Sequence, residues 1–279
     1  MTTSVYCPSN EHIDLPCIHK VERLRPLAWL DAGWGDFRRA WPQSLPYGVL
    51  LGAVGLGLLY YLADRPYLTM ALAGGFLLLA PVVAAVFYQI SSQLEWQEGG
   101  MTGEKPSVGR LFGTDSALFS LMLAIVFAIW VDLAAITTAL FSSRELVING
   151  AFSLLSLFNL DNIPFVIGYF ALGALLAGVT FSIGVVSLPM LMDRQTDLVT
   201  ALTTSLVVVK ENPVAMAVWA VLIAVLMVAG MLSLFIGFAV FFPVLGHATW
   251  HAYRAVLPAE VDAREPASEA DASADQKAA

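Results

Sequence analysis

The sequence predicts an all-α protein, a polytopic membrane helical bundle of about six transmembrane helices with short amphipathic interfacial helices. Three observations predict it. The 279 residues are 58% hydrophobic and only 13% charged, with a mean hydropathy of +0.74, whereas a soluble domain carries about 25% charged residues. The missing charge is also localised: residues 112–143 hold only Asp115 and Asp132, and residues 212–253 hold no charge at all. Lastly, the basic residues sort to one side of the expected membrane, as worked out below.

The first stretch, "MTTSVYCPSNEHIDLPCIHK", has no basic segment leading into an apolar core, so a cleavable signal peptide is not expected. Residues 1–27 read as a cytoplasmic tail. Cys7, His12, Cys17 and His19 offer zinc-type donors, but their spacing lacks the C-x2-C pair of a zinc site. Two cysteines alone indicate no disulfide framework. Trp29, Trp34 and Trp41 beside Arg38 and Arg39 suit anchoring at headgroup level, with an aromatic cage as the alternative.

Apolar runs of roughly 18 residues or more read as membrane spans. They fall at residues 45–63, 67–93, 114–141 and 164–189, with Asp64-Arg65-Pro66 turning the first into the second. The last run, 213–250, would be about 57 Å long as one helix against a hydrocarbon core of about 30 Å. It must break, and Gly230 with "MLSLFIGF" is the expected place, giving spans at 213–230 and 234–256.

Counting Lys and Arg tests that division. With six spans, twelve of the fourteen fall on one side, leaving Arg65 and Arg144 on the other. Five spans would divide them nine to five. The expectation is therefore a six-helix domain over residues 28–256, with both termini cytoplasmic. Beyond Leu257 an Ala/Ser/Asp/Glu-rich tail carries half of the net charge of −8. Residues 257–279 read as a disordered acidic tail, because they cannot bury enough apolar surface to fold.

Two further patterns stand out. "ELVINGAFSLLSLFNLDNIP" places Asn149, Ser153, Ser156 and Asn159 on one helical stripe, as in a helix lying in the outer interface or a re-entrant piece. "DFRRAWPQSL" and "DLVTALTTSL" share D-x3-A-x3-S-L through Asp36, Ala40, Ser44, Leu45 and Asp197, Ala201, Ser205, Leu206. Either two cytoplasmic helices descend from an internal duplication, or common residues coincide.

The stretches "PLAWLDAGWGDFRRAWPQSLPYGVLLGAVGLGLL", "MDRQTDLVTALTTSLVVVKENPVAMAVWAVLIAVL" and "FFPVLGHATWHAYR" resemble an uncharacterised bacterial family of integral membrane proteins, domain of unknown function 2189. Some of its members are labelled cytochrome c oxidase subunits. The resemblance covers about residues 20–256 and implies a bacterial inner (cytoplasmic) membrane address. It carries no catalytic residue to transfer. A catalytic haem–copper subunit needs about six membrane histidines, and this chain has four in all, with His12 and His19 in the N-terminal tail.

Three residues are candidates for a polar site. His247 and His251 lie four apart and share a helical face, as paired metal or haem ligands would. Their place beside Trp250, Tyr253 and Arg254 equally fits an interfacial belt and the carbonyl end of a helix. Asp132 in "AIWVDLAAITT" is costly at mid-bilayer, about 2.5–3.5 kcal/mol on insertion scales. It either faces a cavity near Gln89, Thr180 or Ser182, or sits at the outer interface of a span shifted to 111–131.

No catalytic motif or cofactor-binding sequence is found, and scattered basic residues give no nucleic-acid footprint. The glycines of spans one and four favour close helix packing. The expected partner is the lipid bilayer, together with other membrane proteins. The leading expectation is a non-enzymatic accessory, assembly or scaffold component, respiratory-chain association included. The alternatives are a small-solute or proton-coupled transporter using Asp132 and the polar groups of spans two and four, and a membrane metal or haem protein.

Overall fold

The computed structural model describes residues 5–7, 15–62, 66–99, 109, 112–141 and 160–258. Two short strands, β1 (Val5–Tyr6) and β2 (Ile18–His19), pair antiparallel with Val5 opposite His19. Helices follow: α1 (Arg25–Arg39), α2 (Trp41–Tyr61), α3 (Pro66–Gln97), α4 (Thr114–Phe141), α5 (Ile163–Gly184), α6 (Ser187–Asp193), α7 (Leu198–Glu211), α8 (Pro213–Leu232) and α9 (Phe238–Val256).

Proline placement punctuates these helices as its missing N–H dictates. Pro26, Pro42, Pro164 and Pro213 all sit in a first turn, where that N–H has no helical partner anyway. Helix α7 starts at Asp197, whose side chain accepts from Thr200 N at 3.0 Å. The expected break after Gly230 is present, with α8 running on to Leu232. Leu234 and Phe235 then adopt φ of 54° and 64° in the turn between α8 and α9. Ser233 holds the turn: its Oγ donates to Gly230 O and accepts from Gly237 N, both at 2.8 Å.

Five helical stretches are long and apolar enough to cross a membrane: Trp41–Tyr61, Leu78–Gln97, Thr114–Leu140, Leu160–Asp193 and Pro213–Leu232. Helix α9 falls outside this set because His247, Thr249, His251, Tyr253 and Arg254 lower its hydropathy. Its packing explains the composition. Phe238, Phe242, Leu245, His247, Ala248, Trp250 and Tyr253 are all buried, against α1, α2, α3 and α8. A helix shielded from lipid by its neighbours need not be apolar all round, so a composition window understates it.

Two glycines set how closely α9 is embraced. A Cβ on Gly33 of α1 would stand 2.6 Å from Ala248 N and 2.7 Å from Val244 O. One on Gly48 of α2 would stand 2.5 Å from Ala239 O. Both clashes are with backbone, which cannot swing aside. A second, smaller core lies around Trp130, whose Nε1 donates to Ala71 O at 2.7 Å, tying α4 to α3.

Several sequence expectations are corrected here. Cys7 and Cys17 are joined in a disulfide, because pairing β1 with β2 brings the two cysteines together. Residues 15–21 pack on the bundle: Ile18 is fully buried, Asn212 Oδ1 accepts from Val21 N at 2.8 Å, and Lys20 pairs with Glu211 at 2.9 Å. Trp29 points into the core edge-on to Trp219, while Trp34 and Trp41 remain exposed. The two D-x3-A-x3-S-L elements differ locally. Ala40 separates α1 from α2, whereas Asp197 caps a single continuous helix. His12, the stripe from Asn149 to Asn159 and the acidic tail beyond Pro258 lie outside the described residues.

Candidate functional site

Where α1, α2, α3 and α9 meet, a polar chain runs through the protein interior. Ser44 comes from the first turns of α2, Ser91 from the last third of α3, Asp36 from the end of α1, and His247 and His251 from one face of α9. The i, i+4 spacing does place both imidazoles together, but each has a partner within the chain.

The proton inventory fixes the direction of every bond. Ser91 Oγ donates to Asp36 Oδ2 at 2.7 Å. Its single proton is thereby spent, so the 2.8 Å contact with His247 Nδ1 needs a proton on that nitrogen. His247 Nε2 is then the acceptor for Ser44 Oγ at 2.9 Å. His251 Nε2 donates to Asp36 Oδ2 at 2.8 Å. Ser44 and His247 have no exposed surface, Asp36 and Ser91 are nearly closed off, and His251 is partly open. Burial pushes the Asp36 carboxyl upward, but the hydrogen bonds from His251 and Ser91 and the charge of His251 outweigh it. They hold the carboxyl below its ordinary value of 3.8.

Beyond Ser44 the chain of bonds ends blind. One turn further along α2, Gly48 lies against Ala239 and Pro243, and Gly52 against the carbonyl of Phe235. These are close apolar and backbone contacts.

A second layer closes the same end of the bundle. Glu95 of α3 accepts from Arg254 Nε at 2.9 Å and from Trp250 Nε1 at 2.8 Å. Tyr253 donates to Asp193 Oδ2 at 2.5 Å and accepts from Arg194 Nε at 3.1 Å. Arg194 also donates to the carbonyls of Leu257 and Pro258, at 3.0 and 2.6 Å. Asp115 at the start of α4 accepts from Leu198 N at 3.1 Å. The aromatic residues of α9 thus serve an internal charge layer, and Trp250 and Tyr253 do not face lipid as a belt would.

Asp132 stands apart from all of this. It is exposed on α4, and 17 residues beyond Asp115 places it about 26 Å further along the helix. Against a hydrocarbon core of about 30 Å, that puts it close to the far boundary. Among the described residues no group of three or more His, Cys, Asp or Glu is placed to hold a metal ion.

Sequence reading missed Asp36, Ser91, Glu95 and Arg254 as site residues. The shared D-x3-A-x3-S-L pattern had marked Asp36 and Ser44 for another reason. The available signal was the run "QISSQLEW", a polar interruption one to two turns before the end of an apolar span.

These features define a polytopic α-helical integral membrane protein with a buried polar lock at one end of its bundle. Residues 68–193 match the family described as predicted integral membrane protein (DUF2189), the family that the sequence resembles. The matched segment runs from α3 through α6, between the stretches on which the resemblance was read. No match is found to the curated proteins or to the solved structures.

Proposed function

We propose that this is a non-enzymatic accessory, assembly or scaffold protein of the bacterial inner membrane, working through its packed helices. The observation that supports this reading is the closure of the polar chain. Both nitrogens of His247 are engaged by serine hydroxyls at 2.8 and 2.9 Å, and the chain stops against the α2–α9 contact. A nucleophile needs access to substrate, a metal site needs free donors, and a proton route needs two open ends. This arrangement offers none of these and instead ties four helices together. The exposed position of Asp132 likewise suits a boundary residue or a contact with a neighbouring protein better than a transport route.

Six crossings with both termini cytoplasmic remain the topology we propose. The return of α9 beside α8 supports it, since Arg254 comes back to the level of Glu95 and Asp193. Partners in the respiratory chain rest only on the labels carried by some family members.

The test pairs two measurements. Vesicles reconstituted with the protein and loaded with a pH-sensitive dye should show proton flux equal to protein-free vesicles. Purification from native membranes in mild detergent should yield a stoichiometric membrane partner. Flux that disappears in Asp36→Asn or His247→Gln variants would overturn the reading.

A further inference from the structure

The two strands at the N-terminus are held unequally. Strand β2 is fixed by the bundle itself. Ile18 is fully buried in the main core, and Asn212, the residue between α7 and α8, grips the backbone beside it. Asn212 Oδ1 accepts from Val21 N at 2.8 Å and its Nδ2 donates to His19 O at 3.3 Å, while Lys20 pairs with Glu211 at 2.9 Å. Strand β1 has no comparable hold. Val5, Tyr6 and Cys7 are all exposed, and the ladder joining β1 to β2 is two residues long. A pairing that short is marginal in water at best. What fixes β1 is the bond between Cys7 and Cys17, ten residues apart. By chain entropy, closing a loop of that length favours the paired arrangement about a hundred-fold over the open chain.

The two sulfurs also differ in access. Cys7 is exposed, whereas Cys17 is half-buried next to the docked Ile18. Thiol–disulfide exchange starts at the sulfur that an incoming thiolate or disulfide can reach. In the cytoplasm, where the reading above places the N-terminus, thiols are kept reduced, and a disulfide that forms there is characteristically transient and redox-sensing.

We propose that Cys7 and Cys17 form a reversible thiol–disulfide switch, reacting with small disulfides and thiols of the glutathione class, that locks β1 onto the docked strand β2. The switch rests on the proposed cytoplasmic orientation for its setting, though not for its chemistry. In the closing direction the Cys7 thiolate attacks a small disulfide RSSR, forming a mixed disulfide at Cys7 and releasing one RS⁻. The Cys17 thiolate then attacks Cys7 Sγ, forms the intramolecular bond and expels the second RS⁻. Two thiols of the chain are oxidised, one RSSR is reduced to two RSH, and the two cysteine protons end on the leaving thiolates. Opening runs the same steps in reverse. The closed form covers the outer edge of β2 with β1. The open form releases residues 5–7 and uncovers that edge, while Asn212 and the burial of Ile18 keep β2 in place.

The test uses the purified full chain in lipid nanodiscs, equilibrated with glutathione buffers of graded reduced-to-oxidised ratio. Thiol trapping should show the pair passing from dithiol to disulfide within the series. Amide exchange read by mass spectrometry should slow about ten- to a hundred-fold over residues 5–7 as it does so. Residues 18–21 should exchange equally slowly in both forms. Offered oxidised glutathione, Cys17→Ser should take up one glutathione per chain on Cys7 faster than Cys7→Ser takes it up on Cys17. A pair that stays oxidised at every ratio is a structural staple and overturns the proposal, as does one that stays reduced throughout. Equal exchange over residues 5–7 in the two forms overturns it too, and so does faster modification of Cys17. Because the chain is titrated outside the cell, a wrong orientation of the N-terminus produces none of these results. That failure shows separately, in the labelling of intact cells.

Discussion

Removing the Ser91 hydroxyl is the sharpest perturbation of the polar lock. Ser91 bridges Asp36 and His247, donating to the carboxylate at 2.7 Å and receiving the His247 Nδ1 proton at 2.8 Å. In Ser91→Ala the carboxylate loses a charge-assisted bond, about 1.5–3 kcal/mol, and the buried His247 loses its Ser91 partner while keeping the Phe87 carbonyl. The two effects overlap, since the freed side chains partly relax, so a net loss of about 3 kcal/mol is expected. For a chain of this size that is about 6–12 °C in Tm. The assay is thermal unfolding in detergent, followed by tryptophan fluorescence. A double-mutant cycle with His247→Phe then asks whether the penalty belongs to the bridge. Once the imidazole is gone, Ser91→Ala should cost appreciably less, giving a coupling of at least about 1 kcal/mol. A shift below about 1 °C, or strict additivity in the cycle, would show that the chain of bonds does not hold the helices together.

Acid should loosen the same lock. Because Asp36 is held below its ordinary 3.8, it stabilises the fold above that value, and the contribution is lost as pH falls through its lowered one. Tm measured from pH 6 to pH 3 should drop more steeply in wild type than in Asp36→Asn; parallel profiles would contradict this. Gly48→Val should fail to give a monodisperse protein in size-exclusion chromatography, because the added Cβ meets Ala239 O at 2.5 Å. Gly57→Ala, with nothing within 4 Å, is the silent control. Asp197→Ala removes the cap of α7 and should cost about 1 kcal/mol in thermal unfolding, with Asp197→Ser restoring most of it. The Cys7–Cys17 disulfide persists only where the hairpin meets oxidising conditions, so under the proposed orientation thiol trapping in intact cells should find the pair reduced, and purification in air should close it. A fully oxidised pair would argue that the N-terminal hairpin faces an oxidising space.

Helices α2 through α5 and α8 were legible in the sequence because their apolar length is set by the bilayer, and the prolines and charges at their ends mark where it stops. The break after Gly230 was legible for the same reason, since no single helix of that length fits. The site was harder to read. Asp36 and His251 are 215 residues apart, and nothing in either neighbourhood announces the other. His247 looked interfacial because polar and aromatic residues crowd the end of α9. That crowding instead reflects a helix buried among α1, α2 and α3, where each polar group has a dedicated partner. The disulfide could not be inferred from two cysteines ten residues apart, because only the pairing of β1 with β2 brings them together. For Asp132 the sequence left two readings open, a cavity and the outer interface.

Everything turns on α9 crossing the bundle as a shielded sixth span. Single cysteines placed in a Cys7→Ser, Cys17→Ser background, at Leu24→Cys, Leu234→Cys and Asp262→Cys, can be probed with a membrane-impermeant maleimide in intact cells and in inverted vesicles. The account predicts that Leu24→Cys and Asp262→Cys react from one side and Leu234→Cys from the other. Labelling of Asp262→Cys from the side that exposes Leu234→Cys would contradict it.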